Sequence, residues 1–131
     1  MEKRVVANEE LYRLVKRSQP DTIDMNGRAT SALFKQNDGV SVDRDGGRIE
    51  ESIVNTFRSR FEKRFKGLVR VGAGVCIDNS MAVIPEPQSN EYHAEIYDDF
   101  DKTPVNNINA LILADNAKVI VYENNVKWTK L

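Results

Sequence analysis

The chain has 131 residues, of which 40% are hydrophobic and 30% charged, a balance that suits one folded domain spanning residues 1–131 and argues against disorder. Its net charge of −1 lacks the basic excess that gives duplex-binding proteins most of their affinity, so nucleic-acid binding is not expected. The single cysteine, Cys76, cannot form an internal disulfide. The apolar patch at residues 5–7 is too short for a signal peptide, and no run approaches the roughly 18 apolar residues of a membrane span. We therefore expect a cytoplasmic protein.

The first third of the chain is predicted to contain strands separated by tight turns. Apolar, β-favouring composition and alternation predict strands at residues 11–16, 29–35 and 40–43. The Asn26-Gly27 dipeptide and the run at residues 37–39 are typical of turns. Residues 26–43 are therefore expected to form a β-hairpin.

The clearest element of the sequence is an amphipathic helix at residues 48–65. Its apolar stripe recurs at every fourth position, at Ile49, Ile53, Phe57, Phe61 and Phe65. Glu50 and Glu51 lie in the first turn and basic residues crowd the end, as the helix dipole favours, and Gly67 is placed to end the helix.

The second half of the chain is predicted to add strands and one more helix. In residues 68–77, Gly72 and Gly74 indicate a bend or the close approach of another backbone. Thr103 and Pro104 have the residue types that begin a helix. The expected buried face of that helix consists of Val105, Ile108, Leu111 and Ile112. Strands are predicted at residues 68–77, 81–84, 91–97 and 118–122, with a further edge strand at 126–131.

The order of these elements predicts the fold class. Strands and helices do not alternate regularly, which argues against a doubly wound parallel sheet. We expect a single α+β domain, with a mostly antiparallel β-sheet and two packed α-helices.

The strand at residues 91–97 carries the first candidate site. Because side chains of a strand alternate between its two faces, His93 should share one face with Glu91, Glu95 and Tyr97. An imidazole between two carboxylates could transfer protons or contribute to a metal site, and the carboxylates would raise its pKa. His93 and Glu95 supply two metal ligands at most, so no complete metal site is predicted. The same pattern also fits the polar outer face of an ordinary strand.

The second candidate site surrounds residues 28–48. Its candidate binding residues are Ser31, Ser41, Arg44 and Arg48, with Asp43 as a candidate catalytic carboxylate. Gly46 and Gly47 precede the predicted helix, where backbone N–H groups could bind an anion. The segment lacks the lysine and spacing of a P-loop, and it also fits a simple loop that leads into a helix.

Three short motifs are similar to those of a family of small bacterial and phage-borne hypothetical proteins. They are Ser31-x-x-Phe34, Ser41-Val42-Asp43, and an Asn-x-x-His-Ala segment formed by Asn90, His93 and Ala94. The resemblance spans most of the chain, although Glu91 stands where the family pattern has proline. It implies no known activity, cofactor or mechanism, but it implies that Ser41, Asp43 and His93 occur together, which favours a shared site without deciding it.

The sequence leaves three functions open. The first is a cytosolic binding or interaction module with a protein partner, of phage or mobile-element origin. The second is a small enzyme with an acid–base or metal site at His93 and Glu95, completed by the loop at residues 41–48. The third is a nucleic-acid accessory protein that uses the basic end of the helix at residues 48–66.

Overall fold

The computed structural model describes residues 5–123, whose strands form one antiparallel sheet in the order β4-β5-β2-β1-β3-β6. The strands are β1 (Glu10–Lys16), β2 (Val40–Arg44), β3 (Phe65–Gly72), β4 (Ala82–Pro85), β5 (His93–Tyr97) and β6 (Lys118–Tyr122). The α-helices are α1 (Glu50–Arg60), α2 (Ala73–Asp78) and α3 (Asn107–Asn116). The predicted α+β class with a mostly antiparallel sheet is confirmed. The predicted edge strand at residues 126–131 lies outside the described residues.

Alternation along β1 divides the core between the two faces of the sheet. Leu11 and Val15 belong to a large buried cluster with residues of α2 and α3, whereas Tyr12 and Leu14 belong to a smaller cluster under α1. Because neighbouring strand residues point to opposite faces, α1 covers one face and the other two helices cover the opposite face. None of the helices within residues 5–123 is long and apolar enough to cross a membrane.

The predicted strand at residues 29–35 and the hairpin built on it are wrong. The turn at Gly27 forms, but residues Ser31–Phe34 make a 3₁₀ helix, and β2 pairs with β1 and β5 instead. The adjacent side chains of Leu33 and Phe34 are both buried. A strand would send them to opposite faces, whereas one helical turn lets both reach the core.

The first helix is shorter than predicted at its end. It stops at Arg60, where Phe61 leaves the helical conformation, and Phe65 and Gly67 belong to β3. Gly67 is therefore no helix cap; the backbone carbonyl of Val121 lies where its Cβ would be. Ile49, the first residue of the predicted stripe, is 69% exposed. The fourfold spacing of apolar residues continued past the helix because the next strand also begins with a buried aromatic residue.

The predicted strand at residues 68–77 ends at Gly72, and α2 follows as a third helix where two were expected. Gly74 does meet another backbone, because its N–H donates to the carbonyl of Ala7 at 3.0 Å. The strands predicted at 81–84, 91–97 and 118–122 correspond to β4, β5 and β6.

The last helix begins later than its sequence suggests. Asn106, and not Thr103, caps α3, since its side chain accepts a hydrogen bond from the N–H of Asn109 at 2.7 Å. Of the predicted buried face, Val105 is buried and Ile112 is half-buried, whereas Ile108 and Leu111 are exposed. The buried positions of α3 are Ala110, Leu113 and Ala114. The face of α3 that meets the core is therefore formed by other residues than those predicted.

The placement of α1 leaves part of its face of the sheet uncovered. The cluster beneath α1 draws its residues from α1 and its C-terminal flank, β1, β3 and β6, and none from β2, β4 or β5. The β2-β5-β4 half of this face can therefore present polar side chains beside the C-terminal end of α1.

The two isoleucines of the predicted stripe provide a matched test of this packing. Replacing the fully buried Ile53 by alanine should lower the free energy of unfolding by roughly 2–5 kcal/mol, because the core loses packed methyl groups. Replacing the exposed Ile49 by alanine should change it by no more than about 0.5 kcal/mol. Urea denaturation followed by circular dichroism measures both. Equal losses would contradict the observed orientation of α1.

Candidate functional site

Strand pairing brings the predicted catalytic residues together on the uncovered half of the sheet. Asp43 of β2 pairs directly with His93 of β5, and Ser41 pairs with Glu95. Directly paired residues lie on the same face, and Asp43 also pairs with Tyr12, which packs under α1. Asp43, His93, Ser41 and Glu95 therefore form a row beside α1. The juxtaposition of Asp43 and His93 could not be decided from the sequence.

His93 lies between two carboxylates. Its Nε2 is 3.2 Å from Oε2 of Glu95, and its Nδ1 is 3.8 Å from Oδ1 of Asp43. Interaction with Asp43, and then the hydrogen bond with Glu95, raises the pKa of the imidazole, while partial burial opposes the shift. With 13% of its side chain exposed, His93 remains reachable from solvent.

Asp43 is the buried carboxylate of the site, with 6% of its side chain exposed. Its Oδ2 accepts a hydrogen bond from Nη2 of Arg60 at 2.8 Å, and Asn90 approaches Oδ1 at 3.5 Å. Burial alone would raise the pKa of Asp43, but the interactions with His93 and Arg60 outweigh it and lower the pKa below its usual value. The site therefore holds Asp43 as a carboxylate.

Tyr97 holds Glu95 in place. Its hydroxyl donates to Oε1 of Glu95 at 2.8 Å, which leaves Oε2 directed at His93. Burial and this bond raise the pKa of Tyr97 to about 12, so the phenol keeps its proton. Gly39 makes room for the pair, because a Cβ there would lie 2.5 Å from Oε1 of Glu95.

A cavity of about 330 Å³ opens between β1, β2 and the C-terminal end of α1, next to His93. Its charged lining consists of Arg13, Lys16, Asp43, Arg60, Arg64 and His93. Its uncharged polar lining consists of Gln36, Ser41, Ser89 and Asn90, and its apolar walls include Leu14, Phe57 and Phe61. His93 and Asp43 thus face a concave space that can hold a small molecule.

The remaining predicted binding residues serve the scaffold or lie apart from the cavity. Arg44 forms an ion pair with Glu9 at 2.7 Å, and the guanidinium of Arg48 stacks over Tyr92 at 3.6 Å from the ring centre. Ser31 lies on the 3₁₀ helix outside the cavity lining, and Glu91 is exposed in a turn before β5.

The loop at Gly46 and Gly47 does not present an open anion site. The carboxylate of Asp45 already accepts the N–H of Gly47 at 2.9 Å, and Tyr92 packs against Gly46. Glu50 and Glu51 in the first turn of α1 add negative charge where an anion would bind.

Cys76 lies on the opposite side of the sheet from His93. It belongs to the core cluster of α2 and α3, and burial raises the pKa of its thiol to about 12. A Cys76–His93 nucleophile–base pair is therefore excluded.

Sequence reasoning missed several residues of the site. Glu86, His93 and Glu95 each offer a ligand atom, and these atoms lie within 4.8 Å of one another, so Glu86 is a candidate third ligand that the strand alone could not supply. Arg60 reaches Asp43 from α1, and Arg13 is one of the residues that line the cavity. The sequence placed Arg60 only in a basic helix end, with no indication of the strand that it contacts.

Comparison of the chain with protein-family models, curated proteins and solved structures finds no match.

The single histidine allows a direct test of the site's electrostatics. In an NMR titration of the untagged chain, we expect His93 to have a pKa above its ordinary value of about 6.5, because Asp43 and Glu95 favour the imidazolium. Replacing Asp43 by asparagine or Glu95 by glutamine should lower this pKa, whereas replacing the exposed Glu91 by glutamine should not.

The raised pKa of His93 also predicts how the free energy of unfolding changes with pH. Because folding raises the pKa of His93, the stabilisation from the protonated ring is fully present below the unfolded pKa of about 6.5 and is lost as pH rises through the folded pKa. The difference in free energy of unfolding between wild type and His93→Gln should therefore shrink toward alkaline pH. A His93 pKa at or below 6.5 would contradict the geometry described.

Proposed function

We propose that this protein is a small enzyme whose reacting group is His93, held by Asp43 and Glu95 at the wall of the cavity beside α1. One observation carries the proposal: His93 and Asp43 line the same concave space. A flat, fully solvated surface around His93 would instead have favoured the polar outer face of an ordinary strand.

The arrangement suits acid–base chemistry. Imidazole is the side chain whose unperturbed charge changes between about pH 5 and 8, and efficient proton transfer requires that the ring be held in one orientation. Asp43 and Glu95 supply that orientation from opposite ring nitrogens. His93 is then the catalytic residue, while Asp43 and Tyr97 act as positioning residues, Tyr97 through Glu95.

The other readings from the sequence stay predictions. These are the interaction module with its protein partner, the nucleic-acid accessory role, placement in the cytoplasm and a phage or mobile-element origin. In the basic end of α1, Arg58 and Arg60 are engaged in ion pairs with Glu123 and Asp43. That engagement reduces the positive charge available to a nucleic-acid backbone.

Incubation with a defined mixture of phosphorylated, carboxylated and neutral metabolites tests the enzymatic role. We expect mass spectrometry to show at least one compound consumed by the wild type and by Glu91→Gln, but not by His93→Gln, which removes the proton-transferring group. Circular dichroism should show all three proteins folded. If no compound depends on His93 for its consumption, the proposal fails.

The second candidate is a metal-dependent form of the same enzyme. The position of Glu86, which offers a third ligand atom, favours it. Imidazole and carboxylate are common ligands of divalent metals, and Asp43 on Nδ1 leaves Nε2 on the side of Glu95, as in carboxylate–histidine–metal arrangements. The residues present thus fit a divalent cation.

Calorimetric titration with Zn²⁺ and Mn²⁺ separates the two forms. A metal site predicts saturable binding of one of these ions that Glu86→Gln weakens about tenfold or more, since one of three protein ligands is lost. The control Glu91→Gln should bind as the wild type does. No saturable binding, or equal binding by Glu86→Gln, would eliminate the metal-dependent form.

A further inference from the structure

The cavity beside His93 has an excess of positive charge. Four cationic side chains line it, namely Arg13, Lys16, Arg60 and Arg64, together with a single carboxylate, Asp43. Asp43 is already bound by Arg60 and His93. Among residues 5–123, Arg13, Lys16 and Arg64 form no ion pair with a carboxylate.

Arg13 is the most unusual of these cations, because it is only 5% exposed. Its guanidinium donates to two backbone carbonyls, those of Leu33 and Ser41, each at 3.0 Å. These neutral carbonyls accept two of its N–H groups without cancelling its charge, and burial lowers its pKa to about 10. Buried charges in proteins are normally paired or coordinated, so an uncompensated one calls for an anion nearby.

Lys16 is subject to the same excess of charge. Burial lowers its pKa, and repulsion from Arg13 and Arg64 adds to the shift. Arg13, Lys16 and Arg64 all line the same cavity, where their like charges repel one another. Such an arrangement is unfavourable for the isolated fold and becomes favourable when a multiply charged anion binds among them.

The other walls of the cavity suit an organic ligand. The rings of Phe57 and Phe61 and the side chain of Leu14 offer apolar surface, while Ser89 and Asn90 offer hydrogen-bonding groups. The volume of about 330 Å³ lies at the lower end of the range of roughly 300–1,000 Å³ that small-molecule sites occupy. The space accommodates a small molecule rather than a polymer.

We propose that this cavity binds a small molecule that carries a phosphate group, with the phosphate held among Arg13, Lys16 and Arg64. Three cations without carboxylate partners match a dianion better than the single charge of a carboxylate, and guanidinium groups suit phosphate oxygens. The proposed binding site depends only on the residues of the cavity. The proposal that its ligand is also the substrate rests on the proposed enzymatic function of His93.

Titration with inorganic phosphate at constant ionic strength, followed by NMR of the backbone amides, tests the proposal. We expect saturable shifts confined to the cavity, with a dissociation constant on the order of 1 mM for the free ion. Phenyl phosphate should bind several-fold more tightly, because its ring contacts the apolar wall, and sodium acetate should bind more weakly than phosphate.

Matched variants distinguish specific phosphate binding from a general effect of positive charge on the surface. Lys16→Gln should weaken phosphate binding about tenfold, the loss expected when one charge-assisted contact is removed. The control Lys63→Gln removes the same charge from an exposed position outside the cavity lining and should leave binding unchanged. Arg64→Gln against the exposed Arg28→Gln gives a second such pair. Failure to saturate, or equal weakening by Lys16→Gln and Lys63→Gln, would overturn the phosphate site.

Phosphate binding and turnover, measured on the same variant, distinguish a failure of the phosphate site from a failure of the enzymatic proposal. His93→Gln should retain phosphate binding within a few-fold, because the proposed phosphate contacts do not include His93. Phosphate binding without any His93-dependent turnover would support the cavity and overturn the enzyme. Turnover that depends on His93, with no saturable phosphate binding, would support the enzyme and overturn the phosphate ligand.

Discussion

Arg13 fills the gap that opens where β1 and β2 separate. These two strands pair at only two positions, Leu11 with Arg44 and Tyr12 with Asp43. Beyond them, the guanidinium of Arg13 bridges the carbonyl of Ser41 on β2 and that of Leu33 on the 3₁₀ helix. Hydrogen bonds from a side chain thus take the place of backbone hydrogen bonds between β1 and β2. The same side chain brings an uncompensated positive charge into the middle of the sheet. The cavity opens beside this gap, and Arg13 contributes to its positive charge together with Lys16, Arg60 and Arg64.

The second constraint is the unequal cover that α1 provides. The helix packs over β1, β3 and β6 through Ile53 and Phe57, and it does not extend over β2, β5 and β4. The polar row of Asp43, His93 and Glu95 can occupy the uncovered half because it is not required to join the core. Arg60 at the end of α1 then links the two halves by its ion pair with Asp43.

The charged residues of the site fall into two groups, one around His93 and one around the cavity. Around His93, two carboxylates favour the imidazolium, and Tyr97 fixes one of them. Around the cavity, cations outnumber carboxylates, and Arg13 and Lys16 have lowered pKa values. A bound anion would offset the second group while leaving the first intact. The proposed proton-transferring group and the proposed anion site therefore use different charged residues of one small domain.

The sequence by itself determined the antiparallel α+β class, most of the strands and the polar face around His93, because these depend on local composition and on the alternation of side chains along a strand. It misplaced the helix ends and the strand at residues 29–35, where consecutive buried residues such as Leu33 and Phe34 fit more than one local structure. Only the tertiary structure decided that Asp43 pairs with His93, that Glu86 and Arg60 reach the same site, and that Arg13 is buried without a carboxylate. Most of those contacts join residues far apart in the chain, and they depend on the order and register of the strands, which the pattern of one strand does not decide by itself.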